Sequence, residues 1–231
     1  MINNKKVLAV IPARGGSKGV PRKNIRVIAN KPLIGWTIQE AKKSKYIDQL
    51  VLSSEDNEII KIAKEWGCEV VYRPGQLAMD DTPGIEPIIH VLNCLPGFDY
   101  VVVLQPTSPL REVVDIDKCI EALSQSDSSS CVSVCRPSKS PFWSYTMDMA
   151  DHLLPLMDGK LITNRQQLPK VFVLNGAVYV AETKYLMEKR TFMYEMTIGY
   201  EMPLERSLDI DTEMDLEICQ YFLNKKQNTL H

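Results

Sequence analysis

What this chain can fold into is constrained first by residues 7–24. Val7-Leu8-Ala9-Val10-Ile11-Pro12 is an apolar run rich in branched side chains, the pattern of a strand covered on both faces. It leads directly into Ala13-Arg14-Gly15-Gly16-Ser17-Lys18-Gly19-Val20-Pro21-Arg22-Lys23-Asn24, where three glycines, a proline and four cations oppose a helix. A strand that empties into such a loop can cradle phosphate. Glycine lets backbone N–H groups approach an anion, while Arg14 and Lys18 supply charge that phosphate oxygens share. The same residues would also make a solvated turn with scattered cations. The spacing is neither the G-x-x-x-x-G-K-[ST] of Walker loops nor the G-x-G-x-x-G of dinucleotide binders, which leaves a triphosphate-binding loop of another type.

The 231 residues suffice for one domain, 1–231, with a substantial core. Lys+Arg at 27 against Asp+Glu at 29 leaves a net charge of −2, so no basic field draws the chain to nucleic acid or an anionic membrane. A phosphate partner must therefore be bound locally. No apolar run approaches a membrane span, and the N-terminus runs straight into the first strand, so a soluble, cytoplasmic protein is expected. Six cysteines without any C-x-x-C read as buried free thiols of a reducing compartment. Three histidines, His90, His152 and His231, are a poor stock for a zinc site or a histidine triad.

Helical periodicity is expected over 32–43, from Asp56 to Gly67, from Thr82 to Pro96 and over 115–124; strands are expected over 49–53, 68–72, 100–104 and 130–135. This alternation predicts a three-layer α/β fold, a mostly parallel sheet with helices on both faces. In such sheets ligands sit outside the carboxyl ends of the strands, where the Arg14 loop, Ser53-Ser54, Arg73 and Gln105 should converge. Residues 136–170 contain four prolines and break the rhythm, as either a floppy insertion or an arm that packs elsewhere. Strand character resumes over 171–181 and 197–202 around a helix at 184–189. A final helix from Thr212 sets Met214, Ile218, Tyr221 and Phe222 in one apolar stripe.

Asp209-Ile210-Asp211 is the second informative stretch. Extended, it sends both carboxylates to one side, a pairing that suits a hard divalent cation such as Mg²⁺. Alternatively, the acids only favour the start of the following helix. Gln105-Pro106-Thr107-Ser108-Pro109-Leu110-Arg111 places an amide and two hydroxyls at the end of the central strand, suited to a base or a sugar, or to a plain turn. Arg73-Pro74 offers a fork for phosphate or a base carbonyl, or is a surface arginine. Arg165-Gln166-Gln167 and Asn175-Gly176-Ala177-Val178-Tyr179 offer a carboxylate clamp and polar contacts to a sugar ring, or are structural.

Together these blocks resemble the cytidylyltransferases that activate nine-carbon 2-keto sugar acids, the CMP-sialic acid synthetase family. The resemblance runs in order from Ile11–Asn24 through Arg73-Pro74 with Leu77-Ala78, the Gln105 to Arg111 block, Arg165 to Pro169 and Asn175-Gly176-Ala177 with Tyr179, to Ser207-Leu208-Asp209-Ile210-Asp211-Thr212-Glu213. It implies a nucleotide-diphospho-sugar transferase-like fold and transfer of CMP from CTP to the anomeric hydroxyl of a nonulosonic acid, with release of pyrophosphate. It implies that Arg14, Gly15, Ser17 and Lys18 hold the triphosphate, that Asn24, Arg73 and the backbone near Thr82 address the cytidine, and that Asp209 and Asp211 hold Mg²⁺. By the same resemblance Arg14, Lys18, Asp209 and Asp211 would be the catalytic set, and Gln105, reaching toward the acceptor, would be joined in the sugar pocket by Ser108, Lys139, Trp143, Arg165, Asn175, Tyr179 and Phe192. Residues 136–170 resemble the family's dimerisation arm, so a homodimer is expected.

Two departures bear on the sugar. Sialic acid-specific bacterial members carry a lysine just after the Pro-apolar pair, where this chain has Pro141-Phe142-Trp143, and an arginine where it has Val173. Both remove a cation from the expected pocket, which points to a less polar acceptor such as legionaminic acid; Lys139 is a possible substitute for the lysine. The alternatives are a cytidylyltransferase for an eight-carbon or pseudaminic-type acid and a non-catalytic nucleotide-binding module.

Overall fold

The computed structural model describes residues 1–157 and 164–228. Strand β1 (Val7–Pro12) lies in the middle of a seven-stranded sheet. Its side chains alternate: Val7, Ala9 and Ile11 enter one apolar cluster, and Leu8 and Val10 enter another on the opposite face. An unbroken apolar run is therefore what this position requires.

A two-stranded hairpin follows, β2 (Val27–Ile28) and β3 (Lys31–Pro32), then α1 (Leu33–Ala41), β4 (Gln49–Ser54), α2 (Asn57–Glu65), β5 (Glu69–Tyr72), α3 (Glu86–Cys94), β6 (Tyr100–Leu104), α4 (Val113–Ser124) and β7 (Ser130–Cys135). Strands β8 (Tyr145–Met147) and β9 (Leu153–Pro155) make a second hairpin; β10 (Val173–Glu182), α5 (Thr183–Lys189), β11 (Ile198–Glu201) and α6 (Glu213–Asn228) complete the chain. The sheet order is β11-β7-β10-β6-β1-β4-β5. Pairing is parallel except at β10, which runs antiparallel to both β6 and β7. Helices α1, α2 and α4 cover one face, through residues such as Ile38, Ile59 and Ile120; α3 and α5 cover the other, through Ile88, Leu92 and Leu186. The expected three-layer, mostly parallel sheet is present.

Several boundaries differ from the sequence reading. Helix α3 starts at Glu86, so Thr82-Pro83 is part of a turn; the Thr82 hydroxyl donates to the Gln76 carbonyl. Helix α4 starts two residues before Asp115, because Glu112 and Asp115 form a reciprocal capping box. Cys94 is exposed, whereas the other five cysteines are buried.

The larger difference is in α6. Leu216, Cys219 and Leu223 are its buried residues and pack with Val20, Ile28 and Leu33, whereas Met214, Ile218, Tyr221 and Phe222 face outward. The helix carries two apolar stripes, and the β2–α1 region covers the other one. Between β7 and β10, part of the 136–170 segment forms the exposed β8–β9 hairpin; residues 158–163 of the expected arm lie outside the described residues. No described helix is long and apolar enough to cross a membrane.

Candidate active site

At the carboxyl ends of β1, β5 and β6 lies a cavity of about 800 Å³. Its wall includes Arg14, Ser17, Lys18, Asn24, Arg73, Thr82, Gln105, Tyr179, Phe192 and Asp211 of the residues expected from sequence. The β1 loop therefore shares one chamber with the end of the central strand.

Arg14 donates to the Asp80 carboxylate at 2.9 Å and to the Met79 carbonyl at 3.3 Å, and Lys18 pairs with the other oxygen of Asp80 at 2.8 Å. Lysine 18 lowers the Asp80 carboxyl below its ordinary range, with Arg14 contributing. Gly15 departs from the expected cradle. Its N–H donates to Glu55 at 2.6 Å, and a Cβ there would sit 2.5 Å from Asp56, so this glycine fits the loop against acids. The Asn24 amide donates to the Arg14 carbonyl at 2.8 Å, fixing the loop that carries Arg14. Arg73 is buried, with Nε and Nη2 both on Glu55.

Gln105 is held from beneath. The buried guanidinium of Arg111 donates to the carbonyls of Gln105 (3.1 Å) and Ala177 (2.8 Å) and to the Thr37 hydroxyl (2.8 Å). Burial lowers its pKa to about 10, opposed by the charges of Asp115 and Glu40. It thereby ties the end of β6 to β10. In β10 the register shifts between Leu174 and Tyr179, and Gly176 adopts φ +72°, open to glycine without a Cβ penalty. A Cβ at Gly176 would meet Gln105 Oε1 at 3.4 Å and Asp209 Oδ2 at 3.7 Å, so these three residues adjoin. Asn175 serves this bulge: its Oδ1 accepts from Ser133 Oγ and the Ala177 N–H, and its Nδ2 donates to Ser207. Its polar atoms are thus spent inside the fold, and Asn175 is absent from the cavity wall. Ser108 is buried off the wall as well.

The segment Asp209-Ile210-Asp211 is a coil rather than a strand, with Ile210 buried in the α6 cluster. Helix capping is performed by Thr212 and Asp215. Asp215 accepts from the backbone N–H groups of Asp211 and Thr212, and Thr212 Oγ1 accepts from the Asp215 N–H. That leaves Asp209 and Asp211 out of the capping role. Asp209 is half-buried, and its Oδ1 has no hydrogen-bond partner among the described residues. Burial raises its pKa, with the Thr107 hydroxyl acting against the rise and the Asp211 charge adding to it. Asp211 lines the chamber and Asp209 is absent from its wall; two carboxylates close enough to interact, one with an unpartnered oxygen, are a donor set of the kind a hard cation accepts.

Tyr179 and Phe192 pack with ring centroids 5.4 Å apart at the far side of the chamber. Lys139 and Trp143 lie on the 136–157 segment away from the wall, the first exposed and the second half-buried. The side chain of Arg165 lies outside the described residues. Three charged wall residues were missed by the sequence reading. Lys23 donates to the Ile210 carbonyl at 2.6 Å and approaches Asp211 at 3.4 Å; Asp80 bridges Arg14 and Lys18; Arg190, at the left-handed end of α5, pairs with Glu86. Lys23 stands in the loop itself, but its partner is 188 residues away, and no local signal announces that contact.

Comparison with known proteins identifies the family of the chain. The cytidylyltransferase family profile matches residues 8–227. A CMP-N,N'-diacetyllegionaminic acid synthase of Legionella pneumophila is 35% identical over 190 residues, covering 79% of this chain and 80% of that protein. Post-translational flagellin modification protein B of Campylobacter coli is 30% identical over 196 residues, covering 78% and 79%. An N-acylneuraminate cytidylyltransferase of Escherichia coli is 33% identical over 135 residues, 58% of this chain but 32% of that longer protein. Among solved structures, a CMP:2-keto-3-deoxy-manno-octonic acid synthetase in complex with CTP superimposes with a TM-score of 0.74 at 15% identity, over 96% of this chain and 99% of its own.

Proposed function

The chain belongs to the cytidylyltransferase family, and we propose that it transfers CMP from CTP to the anomeric hydroxyl of a nine-carbon 2-keto sugar acid, releasing pyrophosphate. The observation that carries this reading is the single chamber in which the Arg14/Lys18 loop faces Gln105, Tyr179 and Asp211. Its volume lies in the range that encloses ligands of nucleotide or sugar size.

In the proposed reaction the anomeric oxygen attacks the α-phosphorus, the bond from that phosphorus to the bridging β-oxygen breaks, and the hydroxyl loses its proton. Catalysis of this kind is mostly positioning and charge neutralisation. Arg14 and Lys18 neutralise the departing pyrophosphate, with Ser17 beside them on the wall. Asn24, Arg73 and the turn at Thr82 form the nucleoside side. Gln105, held by Arg111, orients the acceptor, and the Tyr179–Phe192 pair offers it an apolar surface. Asp209 and Asp211 would hold Mg²⁺, which when bound polarises the α-phosphate and acidifies the attacking hydroxyl. Lys23 restrains the Asp211 segment.

Within the nonulosonic acids we favour a legionaminic type. The Legionella relative is named for the diacetyl-legionaminic derivative, and this supports the reading; Val173 and Trp143, which stand where sialic acid-specific members carry cations, both lie off the chamber wall and add to it only through sequence. The 136–170 segment is proposed as a homodimer arm. Its described part exposes Met147, Met149, Leu153, Leu154 and Leu156, an apolar surface of the kind that marks an interface. Free thiols throughout suit the reducing cytoplasm. A nucleotide panel tests the reading: with Mg²⁺ and a nonulosonic acid, CTP should release pyrophosphate and UTP, ATP and GTP should not. Equal use of all four would overturn it.

A further inference from the structure

Asp80 stands out among the acids around the chamber. Glu55 is engaged by Arg73 and the Gly15 N–H, and Asp56 is engaged by Arg22 and the first turn of α2. Both of those are fixed parts of the scaffold. Asp80, by contrast, is a half-exposed side chain on the 79–84 turn, and each of its two oxygens meets one cation of the β1 loop: Oδ1 meets Arg14 at 2.9 Å and Oδ2 meets Lys18 at 2.8 Å. Two oxygens on one centre, shared between a guanidinium and an ammonium, is the arrangement a terminal phosphate group would adopt there. Asp80, Arg14 and Lys18 all line the same cavity.

We propose that Asp80 is a built-in competitor of the departing pyrophosphate. Its carboxylate holds Arg14 and Lys18 while the site is empty of phosphate, yields them to the β- and γ-phosphates of an incoming nucleotide, and retakes them as pyrophosphate leaves. No covalent step is involved; one anion replaces another on the same two cations. Asp80 thereby weakens pyrophosphate retention and keeps both cations oriented between turnovers. Asp81, its exposed neighbour, has the same formal charge and no ion pair among the described residues, so charge alone does not give it this role.

The inference rests on the reading of this chamber as a nucleotide triphosphate site, and the test separates the two. Titrating wild type, Asp80→Asn and Asp81→Asn with inorganic pyrophosphate and with CMP, which lacks the β- and γ-phosphates, reads the competition directly. Asp80→Asn should bind pyrophosphate roughly 3–30-fold more tightly, the range expected for removing two exposed ion pairs, and its gain should shrink as salt rises. CMP affinity should stay within about twofold, and Asp81→Asn should show a far smaller gain for pyrophosphate. Unchanged or weaker pyrophosphate binding by Asp80→Asn, or an equal gain in Asp81→Asn or for CMP, would overturn the proposal. Wild type that binds neither CTP nor pyrophosphate would instead sink the reading of the chamber itself. Because Asp80 is exposed and makes no core contact, its amide variant is expected to fold as wild type does, which thermal unfolding checks.

Discussion

Gly19 and Asp211 pack backbone to backbone: a Cβ on Gly19 would lie 2.1 Å from the Asp211 carbonyl oxygen. The phosphate-type loop and the acidic segment, separated by most of the sequence, are thus in direct contact, and only glycine permits the approach. Gly19→Ala should push the two apart while leaving the core intact. Overpacking of this kind costs about 1–3 kcal/mol of stability, and displacing the acidic segment by about 1 Å can cost roughly 100-fold in rate, so turnover should fall by up to about that factor with little change in far-ultraviolet dichroism. Wild-type turnover in that variant would mean that the contact is dispensable.

Asp115 is fully buried, and Arg206 reaches it through Nε at 2.9 Å and Nη2 at 2.8 Å, while the Glu112 N–H donates at 3.0 Å. Removing one partner of such a pair strands the other. Asp115→Ala should cost about 3–5 kcal/mol in urea unfolding. The exposed pair Arg136–Glu201 makes a single Nε contact at 2.9 Å, and Glu201→Ala should change stability by no more than about 1 kcal/mol. Similar losses at both positions would show that burial is not what sets the cost.

Glu121 supplies a pH dependence. Lys118, Tyr46 and Lys45 donate to it and lower its pKa to about 2 from 4.5. The folded state is harder to protonate at this carboxyl than the unfolded chain, so its stabilisation is complete above the ordinary glutamate value and is lost as pH falls from about 4.5 toward 2. With allowance for solvent screening, wild type should lose roughly 1–2 kcal/mol more than Glu121→Gln over that window. Parallel stability curves for the two proteins would contradict this assignment.

The sheet was legible in the sequence because β1 and β6 are unbroken apolar runs, and only a doubly covered strand tolerates that. The reversal at β10 was not, since its alternating residues suit either strand direction. Helix α6 shows the same limit. The stripe of Met214, Ile218, Tyr221 and Phe222 and the stripe of Leu216, Cys219 and Leu223 are both at helical spacing, and the choice between them rests on where Ile28 and Leu33 come to lie. In the site, Arg14, Lys18 and Gln105 were visible because they directly follow strands. Lys23 and Asp80 depend on partners distant in sequence, and Asn175 reads like a ligand contact until the bulge it serves is seen.

The central claim is tested most directly by pyrophosphate release from CTP and Mg²⁺ with N,N'-diacetyllegionaminic acid or sialic acid as acceptor, the product identified by mass. The account predicts stoichiometric pyrophosphate and CMP-sugar with the legionaminic acid, a lower kcat/KM with sialic acid, and loss of release in Asp211→Asn with CTP binding largely retained. Absence of pyrophosphate with every nonulosonic acid, from a wild-type protein that binds CTP, would contradict it.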